Sequence, residues 1–201
     1  MVDAMLSCEC GQVKGLLKNI TAKKGERVIC YCRDCQACAH HLGHPEKLDE
    51  WGGTDVFLTT PNNMEFTSGI EHVACFQFSP SGPRRWYTTC CNTHLANTLP
   101  DPKEPLISLD MACVTQDSRA FMGDIRKAIF VADAHGNPTI HKQFKGKSRG
   151  MIFKIIFRML YVTLLGQRDK SPLFIRDDQP ISEPEILNRE TRSEALSKAG
   201  F

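Results

Sequence analysis

The 201-residue sequence has the length of one ordinary domain, or of a small domain with an appendage. Its 41% hydrophobic and 24% charged residues are typical of a globular protein and exclude a disordered or collagen-like chain. The formal net charge of +2 predicts no strongly basic surface, which argues against a dedicated nucleic-acid-binding protein. The unusual feature is the ten cysteines, which could form disulfides in a secreted protein or bind metal in a cytosolic one.

The first residues favour a cytoplasmic protein. A signal peptide needs a basic region followed by about 7–15 apolar residues. Residues 1–7 contain an acid, Asp3, and too short an apolar stretch. In a reducing compartment, clustered cysteines bind zinc more often than they form disulfides. The sequence therefore predicts a cytoplasmic zinc protein.

The first part of the chain is predicted to be mainly β. Residues 27–32, 55–60 and 72–78 have the length of strands and are rich in β-branched and aromatic residues. Clusters of Gly, Pro, Asn and Ser between these segments predict turns. Short strands at such regular spacing are typical of an all-β domain.

The distribution of cysteine divides the chain. Nine of the ten cysteines lie in the first 91 residues, and the last is Cys113. This change predicts a cysteine-rich zinc-binding β domain over 1–115 and a helical or irregular extension over 116–201 that packs on it. The predicted helices of the extension are 117–131, 151–165 and 185–198.

The cysteines fall into clusters whose spacing suits a metal ion. In a strand, residues i and i+2 point to the same face, so each Cys-x-Cys pair presents two sulfurs on one side. A Cys-x-x-Cys or Cys-x-x-His step lets two ligands reach one ion. Isolated Cys75 and Cys113 are instead predicted to be core residues. The clusters are Cys8-Glu9-Cys10, Cys30-Tyr31-Cys32-Arg33-Asp34-Cys35, Cys38 and Cys90-Cys91-Asn92-Thr93-His94.

Three blocks resemble the signature of a known family. They are Ser7-Cys8-Glu9-Cys10-Gly11-Gln12-Val13, Cys30-Tyr31-Cys32-Arg33-Asp34-Cys35-Gln36 and Thr89-Cys90-Cys91-Asn92-Thr93-His94-Leu95. They are similar to the C-x-C-G, C-x-C-x-x-C-Q and F-C-x-x-C-G blocks of the glutathione-dependent formaldehyde-activating enzymes, a family that includes centromere protein V-like proteins. The resemblance covers about residues 6–113. It implies a β-tent (Mss4-like) fold with two Zn²⁺ ions, one structural and one with an open position for a thiol substrate.

The resemblance assigns the ligands residue by residue. Cys8, Cys10 and Cys91 match ligands of the structural zinc, and His94 stands where the family usually has cysteine. A Cys₃His set is a normal structural zinc site. Cys90 could replace Cys91 as a ligand. We favour Cys91, because two residues separate it from His94.

The middle block supplies the ligands of the second zinc ion. Cys30, Cys32 and Cys35 match the family's catalytic zinc triad, and Cys38 stands where a small residue is usual. As a fourth thiolate, Cys38 would close the site into a structural Cys₄ set. We favour the open three-thiolate site.

The residues after the middle block have two interpretations. His40, His41 and His44 are either solvated loop residues or acid–base groups beside the zinc. Arg33 and Lys47 could attract a carboxylate of a glutathione-like ligand, or could simply be solvated.

The chemistry of three thiolates suits a thiol substrate. With Zn²⁺ they have a formal charge of −1, so the site would deprotonate a bound thiol more readily than it would polarise a carbonyl. The resemblance implies the matching activity, a carbon–sulfur lyase acting on a thiol–aldehyde adduct such as S-hydroxymethylglutathione. A non-catalytic zinc-stabilised binding or scaffold module is the alternative, because one fold supports unrelated roles.

The segment 151–165 is apolar except for Lys154, Arg158 and Thr163. As a helix it would be about 22 Å long, too short to cross a hydrocarbon core of about 30 Å. We therefore expect a soluble protein whose helix covers an edge of the zinc domain or joins two copies in a homodimer. The alternative is an interfacial helix, with Arg149, Lys154 and Arg158 meeting lipid phosphates.

Overall fold

The computed structural model describes residues 2–140, 142–167, 170–175 and 178–201. Within these ranges the strands are β1 Val2–Ser7, β2 Lys14–Ile20, β3 Glu26–Cys30, β4 Thr54–Thr59, β5 Met64–Ser68, β6 Val73–Gln77, β7 Arg84–Thr88, β8 His94–Thr98, β9 Ile107–Asp110, β10 Lys127–Ile129, β11 Lys142–Phe144 and β12 Glu185–Ile186. The helices are α1 Arg33–Leu42, α2 Gln116–Arg119, α3 Arg149–Leu164 and α4 Arg189–Lys198. The fold is therefore mainly β with helices towards the C-terminus, as the composition of the two parts predicted.

The described strands form a small sheet and a large one. The small sheet has the order β1-β2-β5, and the large sheet has the order β11-β10-β3-β4-β9-β8-β7-β6-β12. Neighbouring strands are antiparallel, except that β10 runs parallel to β3 and β11, and β12 runs parallel to β6. Strands from the region after residue 115 thus extend both edges of the large sheet.

The main apolar core joins the two sheets. Leu17 of the small sheet belongs to the same buried cluster as Phe57, Trp86 and Leu109 of the large one. Burial of such side chains contributes about 1.5–3 kcal/mol each before entropic costs. Cys75 and Cys113 lie in this cluster, which confirms the prediction that they are core residues.

The three predicted strands of the first part are confirmed as β3, β4 and β6. The strand predicted over 27–32 ends earlier, however, because Cys30 is the last residue of β3 and Arg33 begins α1. Gly43 ends α1 with φ of 81°, a left-handed conformation in which glycine has no steric cost. The middle cysteine block therefore spans a junction between a strand and a helix.

The helix predicted over 117–131 was wrong for most of its length. Within this segment only 117–119, the last three residues of α2, are α-helical, and Gly123 has φ of 76°, which turns the chain away from the helix. The segment that follows becomes β10, whose Ala128 and Ile129 are buried and pair with β3. Tertiary pairing of these apolar residues overrides the local helical pattern.

The helix predicted over 151–165 is confirmed as α3, and α4 accounts for most of the segment 185–198. Within the chain the outer face of α3 stays uncovered, because Lys154 and Arg158 turn inward to Glu26 of β3. The predicted contact of this helix with a second copy stays a prediction. Met151 and Val162 are its buried residues. Among the described residues, no helix has both the length and the apolar character needed to cross a membrane.

Candidate metal centres

Four cysteine sulfurs meet where two turns approach each other. Cys8 and Cys10 lie in the turn after β1, and Cys90 and Cys91 lie in the turn between β7 and β8; their sulfurs are all within 4.8 Å of one another. The distance from Cys10 Sγ is 3.5 Å to Cys8 Sγ and 3.3 Å to Cys90 Sγ. Around zinc with bonds of about 2.3 Å, tetrahedral sulfurs are about 3.8 Å apart. The spacing of this first group therefore fits one metal ion.

Left-handed backbone conformations form both turns. Gly11 has φ of 76° and donates its backbone N–H to the carbonyl of Cys8, while Asn92 has φ of 54° and donates to the carbonyl of Thr88. Gly and Asn are the residues that adopt this conformation most readily. The N–H of Val13 also points at Cys8 Sγ, at 3.2 Å. The first cysteine pair is thus presented by a turn and not by the strand that its spacing suggested.

The structure does not bring His94 to the first group. His94 begins β8, and its Nδ1 lies 2.7 Å from Asp110 Oδ2 while its Nε2 lies 3.0 Å from Asn97 Oδ1. Cys90 supplies the fourth sulfur beside Cys91 instead. The spacing from Cys91 to His94 resembles a ligand pair, but the turn between them directs the imidazole across the sheet towards β9.

The middle block forms a second group. Cys30 ends β3, Cys32 is the N-cap of α1 and Cys35 lies in its first turn, so that the three sulfurs lie within 4.8 Å of one another. The positive end of the helix dipole stabilises thiolates at this position. This group could also hold a metal ion.

Cys38 lies one helical turn beyond Cys35 and is buried. The structure does not place its sulfur in the second group, which among the described residues contains three cysteines. The thiol of Cys38 instead neighbours the ring of His94. The arrangement favours an open site over a closed set of four thiolates.

Arg85 of β7 is the residue that the sequence analysis missed. It is only 3% exposed, and its Nη1 lies 3.6 Å from Cys35 Sγ, while its Nη2 lies 3.9 Å from Asp34 Oδ2. Its Nε has no hydrogen-bond partner among the described residues. A buried guanidinium needs a negative charge nearby. Arg85 therefore fits a second group that carries the formal charge of −1 expected for a divalent ion with three thiolates.

Crowding makes the thiols of each group ionise unequally. Hydrogen bonds from Cys30 and Cys32 hold the pKa of Cys35 well below its ordinary value, against the opposing effect of burial, and Arg85 adds to the lowering. In the first group, burial raises the pKa of Cys90 to about 12. The thiols of each group therefore lose their protons one after another, unless a bound metal cation deprotonates them together.

The hydrogen-bond partners of His94 determine the charge of its ring. The guanidinium of Arg85 can only donate, so the Asn97 oxygen that lies 3.2 Å from it is an acceptor. The same oxygen faces His94 Nε2, and the Asp110 carboxylate faces Nδ1, so both ring nitrogens donate. His94 is therefore a cation whose side chain is only 12% exposed. Burial alone would lower its pKa, but Cys38 and Asp110 raise it well above its ordinary value.

A small pocket lies between α1 and the turn that carries the first group. Its volume of about 30 Å³ holds one or two water molecules. Residues from both cysteine-bearing segments form its wall, including Cys35, Cys38, His44, Lys47, Asn92 and His94. Cys35 of the second group and Asn92 beside the first group therefore border one cavity.

The histidines that follow the second group do not lie in one polar loop. His40 and His41 are in the last turn of α1, and the ring of His41 packs on Phe76 with centroids 4.7 Å apart. His44 Nε2 lies 2.9 Å from the carbonyl oxygen of Cys91. His44 thus ties the end of α1 to the turn of the first group.

The two basic residues considered for ligand binding have acidic partners. Arg33 Nε lies 3.2 Å from Asp133 Oδ1, and Lys47 Nζ lies 3.2 Å from Glu9 Oε1. Lys47 also belongs to the wall of the pocket. Of the two, Lys47 is therefore the one placed to meet a ligand there.

Comparison with known proteins gives a family without an assigned function. Residues 2–185 match the family of unknown function DUF6151. No curated protein matches the sequence. Among solved structures, a crystal structure of a Rhodobacter sphaeroides protein, a structural genomics target, matches with 14% sequence identity and a TM-score of 0.40, covering 60% of this chain and 96% of that one.

Proposed function

The chain belongs to the DUF6151 family, and since that family has no assigned function, we propose one from the residues of the chain itself. The protein binds two zinc ions. Cys8, Cys10, Cys90 and Cys91 hold a structural ion, and the second group holds an ion that accepts a thiol substrate. The reaction is carbon–sulfur bond formation or cleavage in a thiol–aldehyde adduct such as S-hydroxymethylglutathione.

The difference between the two groups is the observation that carries this proposal. The first group offers four sulfurs, which complete a tetrahedral structural site. The second offers three sulfurs, a buried guanidinium from Arg85 and a neighbouring pocket. Catalytic zinc sites characteristically have three protein ligands and a position for substrate.

The residues of the second group define the chemistry. A zinc ion held there would convert an incoming thiol into a thiolate. Arg85 offsets the negative charge of the sulfurs and fixes Cys35, while Asn97 holds Arg85 in place. In the forward direction, the substrate sulfur bonds to the aldehyde carbon and the carbonyl oxygen takes up a proton; the reverse reaction breaks this carbon–sulfur bond.

The size of the pocket limits the substrate. A pocket with room for one or two water molecules admits formaldehyde but not a whole tripeptide thiol. Glutathione would insert only its thiol group and leave its remaining atoms at the mouth. Lys47 on the wall supplies a positive charge for one of its carboxylates.

Cobalt substitution tests the open site. We expect the protein to bind two Co²⁺ ions and to change its visible spectrum when glutathione is added. A Cys35→Ser variant should lose this change, whereas Cys38→Ala should retain it. NMR of glutathione mixed with formaldehyde then shows whether the protein accelerates adduct exchange.

A non-catalytic zinc module is the second candidate, and the small size of the pocket favours it. In that case, both metal ions would bind but the cobalt spectrum would not respond to thiol. A spectral response without accelerated adduct exchange would support thiol binding and contradict the lyase activity.

A further inference from the structure

Helix α3 exposes an unusually large apolar surface. Its exposed residues repeat at helical spacing, and the most exposed are Phe153 at 73%, Phe157 at 65% and Leu164 at 85%. Residues three, four and seven apart share one side of a helix, so these side chains form a continuous stripe. The full set is Phe153, Ile156, Phe157, Leu160, Tyr161, Leu164 and Leu165. An exposed apolar patch of this kind marks a binding surface.

Ion pairs fix the direction in which this stripe faces. Lys154 Nζ lies 2.8 Å from Glu26 Oε1, and Arg158 donates to the backbone carbonyls of Lys23 and Gly25. These contacts hold the charged side of α3 against the protein. Rolling the helix to bury its stripe would break them, so the outward position of the apolar side chains is a stable feature.

The sequence around the stripe is strongly basic. Residues 134–168 contain seven of the chain's 25 Lys and Arg residues and none of its 23 Asp and Glu residues. Four of these basic residues immediately precede or begin α3 and are exposed: Lys142, Lys145, Lys147 and Arg149. A chain with a net charge of only +2 thus concentrates positive charge in the segment that leads into this apolar stripe.

From this juxtaposition, we propose that α3 and the basic segment 142–149 form a docking surface for an anionic lipid bilayer. The stripe of Phe153, Phe157 and Leu164 enters the interface, and the basic segment meets the lipid phosphates. The helix, about 24 Å long, lies along the membrane plane. A second copy of the chain is a poorer occupant, because it would oppose two surfaces that have the same excess of positive charge, whereas an anionic bilayer complements that charge.

Docking in this orientation places the second cysteine group near the membrane. Met151 on the inner side of α3 belongs to the same apolar cluster as Cys30, and Ile155 packs against that cluster. A bilayer on the outer side of α3 is therefore separated from the group by the thickness of one helix, about 10 Å. This proposal stands independently of the proposed lyase activity.

Vesicle flotation tests the docking surface. We expect the purified full chain to float with phosphatidylcholine vesicles that contain phosphatidylserine, and not with phosphatidylcholine alone. Binding should weaken about tenfold for each of Phe153→Ser and Phe157→Ser, and about fivefold for each of Lys145→Gln and Lys147→Gln. Ile70→Ser, at an exposed apolar residue between β5 and β6, is the matched control and should bind like the unaltered protein.

Two results would overturn the proposal. One is equal flotation with neutral and anionic vesicles, or none with either. The other is a lipid-free dimer, seen by sedimentation, that Phe153→Ser dissociates, since the stripe would then be a contact between copies. Circular dichroism of each variant confirms that a loss of binding does not come from unfolding.

Discussion

The two cysteine groups have similar chemistry, but they differ in how far apart in sequence their cysteines lie. The first joins two turns whose cysteines are about eighty residues apart in sequence, as for Cys10 and Cys90. The second comes from six consecutive residues, Cys30 to Cys35, at a strand–helix junction. A metal bound to the first closes a long loop, whereas a metal bound to the second adds little chain closure. We therefore expect the first group to determine stability and the second to determine reactivity.

The largest expected effect is on stability at the first group. Structural zinc contributes about 10–16 kcal/mol of binding free energy that is coupled to folding. Cys90→Ser should therefore lower the free energy of unfolding by at least about 4 kcal/mol and cost one zinc ion. Cys35→Ser should lower it by no more than about 2 kcal/mol. Urea denaturation and elemental analysis measure both quantities, and equal losses of stability would show that both groups are structural.

The next effect concerns His94, which the sequence pattern assigned to the first group. Breaking its buried ion pair with Asp110 should lower the free energy of unfolding by about 3 kcal/mol. Because both ring nitrogens have other partners, His94→Gln should leave two zinc ions per chain. His72→Gln, at a partly exposed histidine, is the control. Loss of one ion in His94→Gln but not in His72→Gln would restore His94 as a ligand.

The same variant has a predicted pH dependence. The pKa of His94 is raised on folding by Cys38 and Asp110, against the opposing effect of burial. The native state thus keeps a proton that the unfolded state loses above about pH 6.5. The stabilisation is complete below that pH and is lost as pH rises towards the folded pKa. The unaltered protein should lose stability over this window, and His94→Gln should lack that slope.

A smaller effect, confined to the zinc affinity of the second group, is expected from a change at Arg85. Groups that support metal ligands from outside the coordination shell typically change affinity by about 10–100-fold. Arg85→Met keeps the volume but removes the charge beside Cys35, so it should weaken zinc at the second group by that factor. Arg84→Met provides the control, because adjacent residues of a strand point to opposite faces. Competition with a chromophoric chelator measures the two affinities separately, and an equal effect of both variants would contradict the positioning role of Arg85.

The sequence predicted the parts of this site that depend on local spacing. Cys30, Cys32 and Cys35 are close in sequence, so their proximity required no knowledge of the fold. The sequence favoured Cys91 over Cys90 because of its gap to His94, but the turn places both sulfurs in one group and His94 outside it. Arg85 lies fifty residues from Cys35, and only the order of strands in the large sheet brings them together.

The distinction between local patterns and long-range contacts also separates the correct secondary-structure predictions from the wrong one. Strands β3, β4 and β6 have clear local patterns, and the structure confirms them. The segment 117–131 has a helical pattern, but pairing of β10 with β3 is a long-range contact that no local pattern specifies. For α3, the helix was predictable from its composition, while its orientation depends on Glu26, more than a hundred residues away.

The smallest expected effect tests whether the second group is open. Cys38 is buried, and its sulfur lies outside the three-sulfur group but beside the ring of His94, so Cys38→Ala removes a small buried side chain and one partner of that ring, and no metal ligand. The free energy of unfolding should fall by about 1 kcal/mol, and two zinc ions should remain. If Cys38 were a fourth ligand, this variant would instead lose zinc affinity as Cys35→Ala does. Side-by-side metal titrations of the two variants therefore decide whether the second group has a free position, which is the feature that separates it chemically from the first.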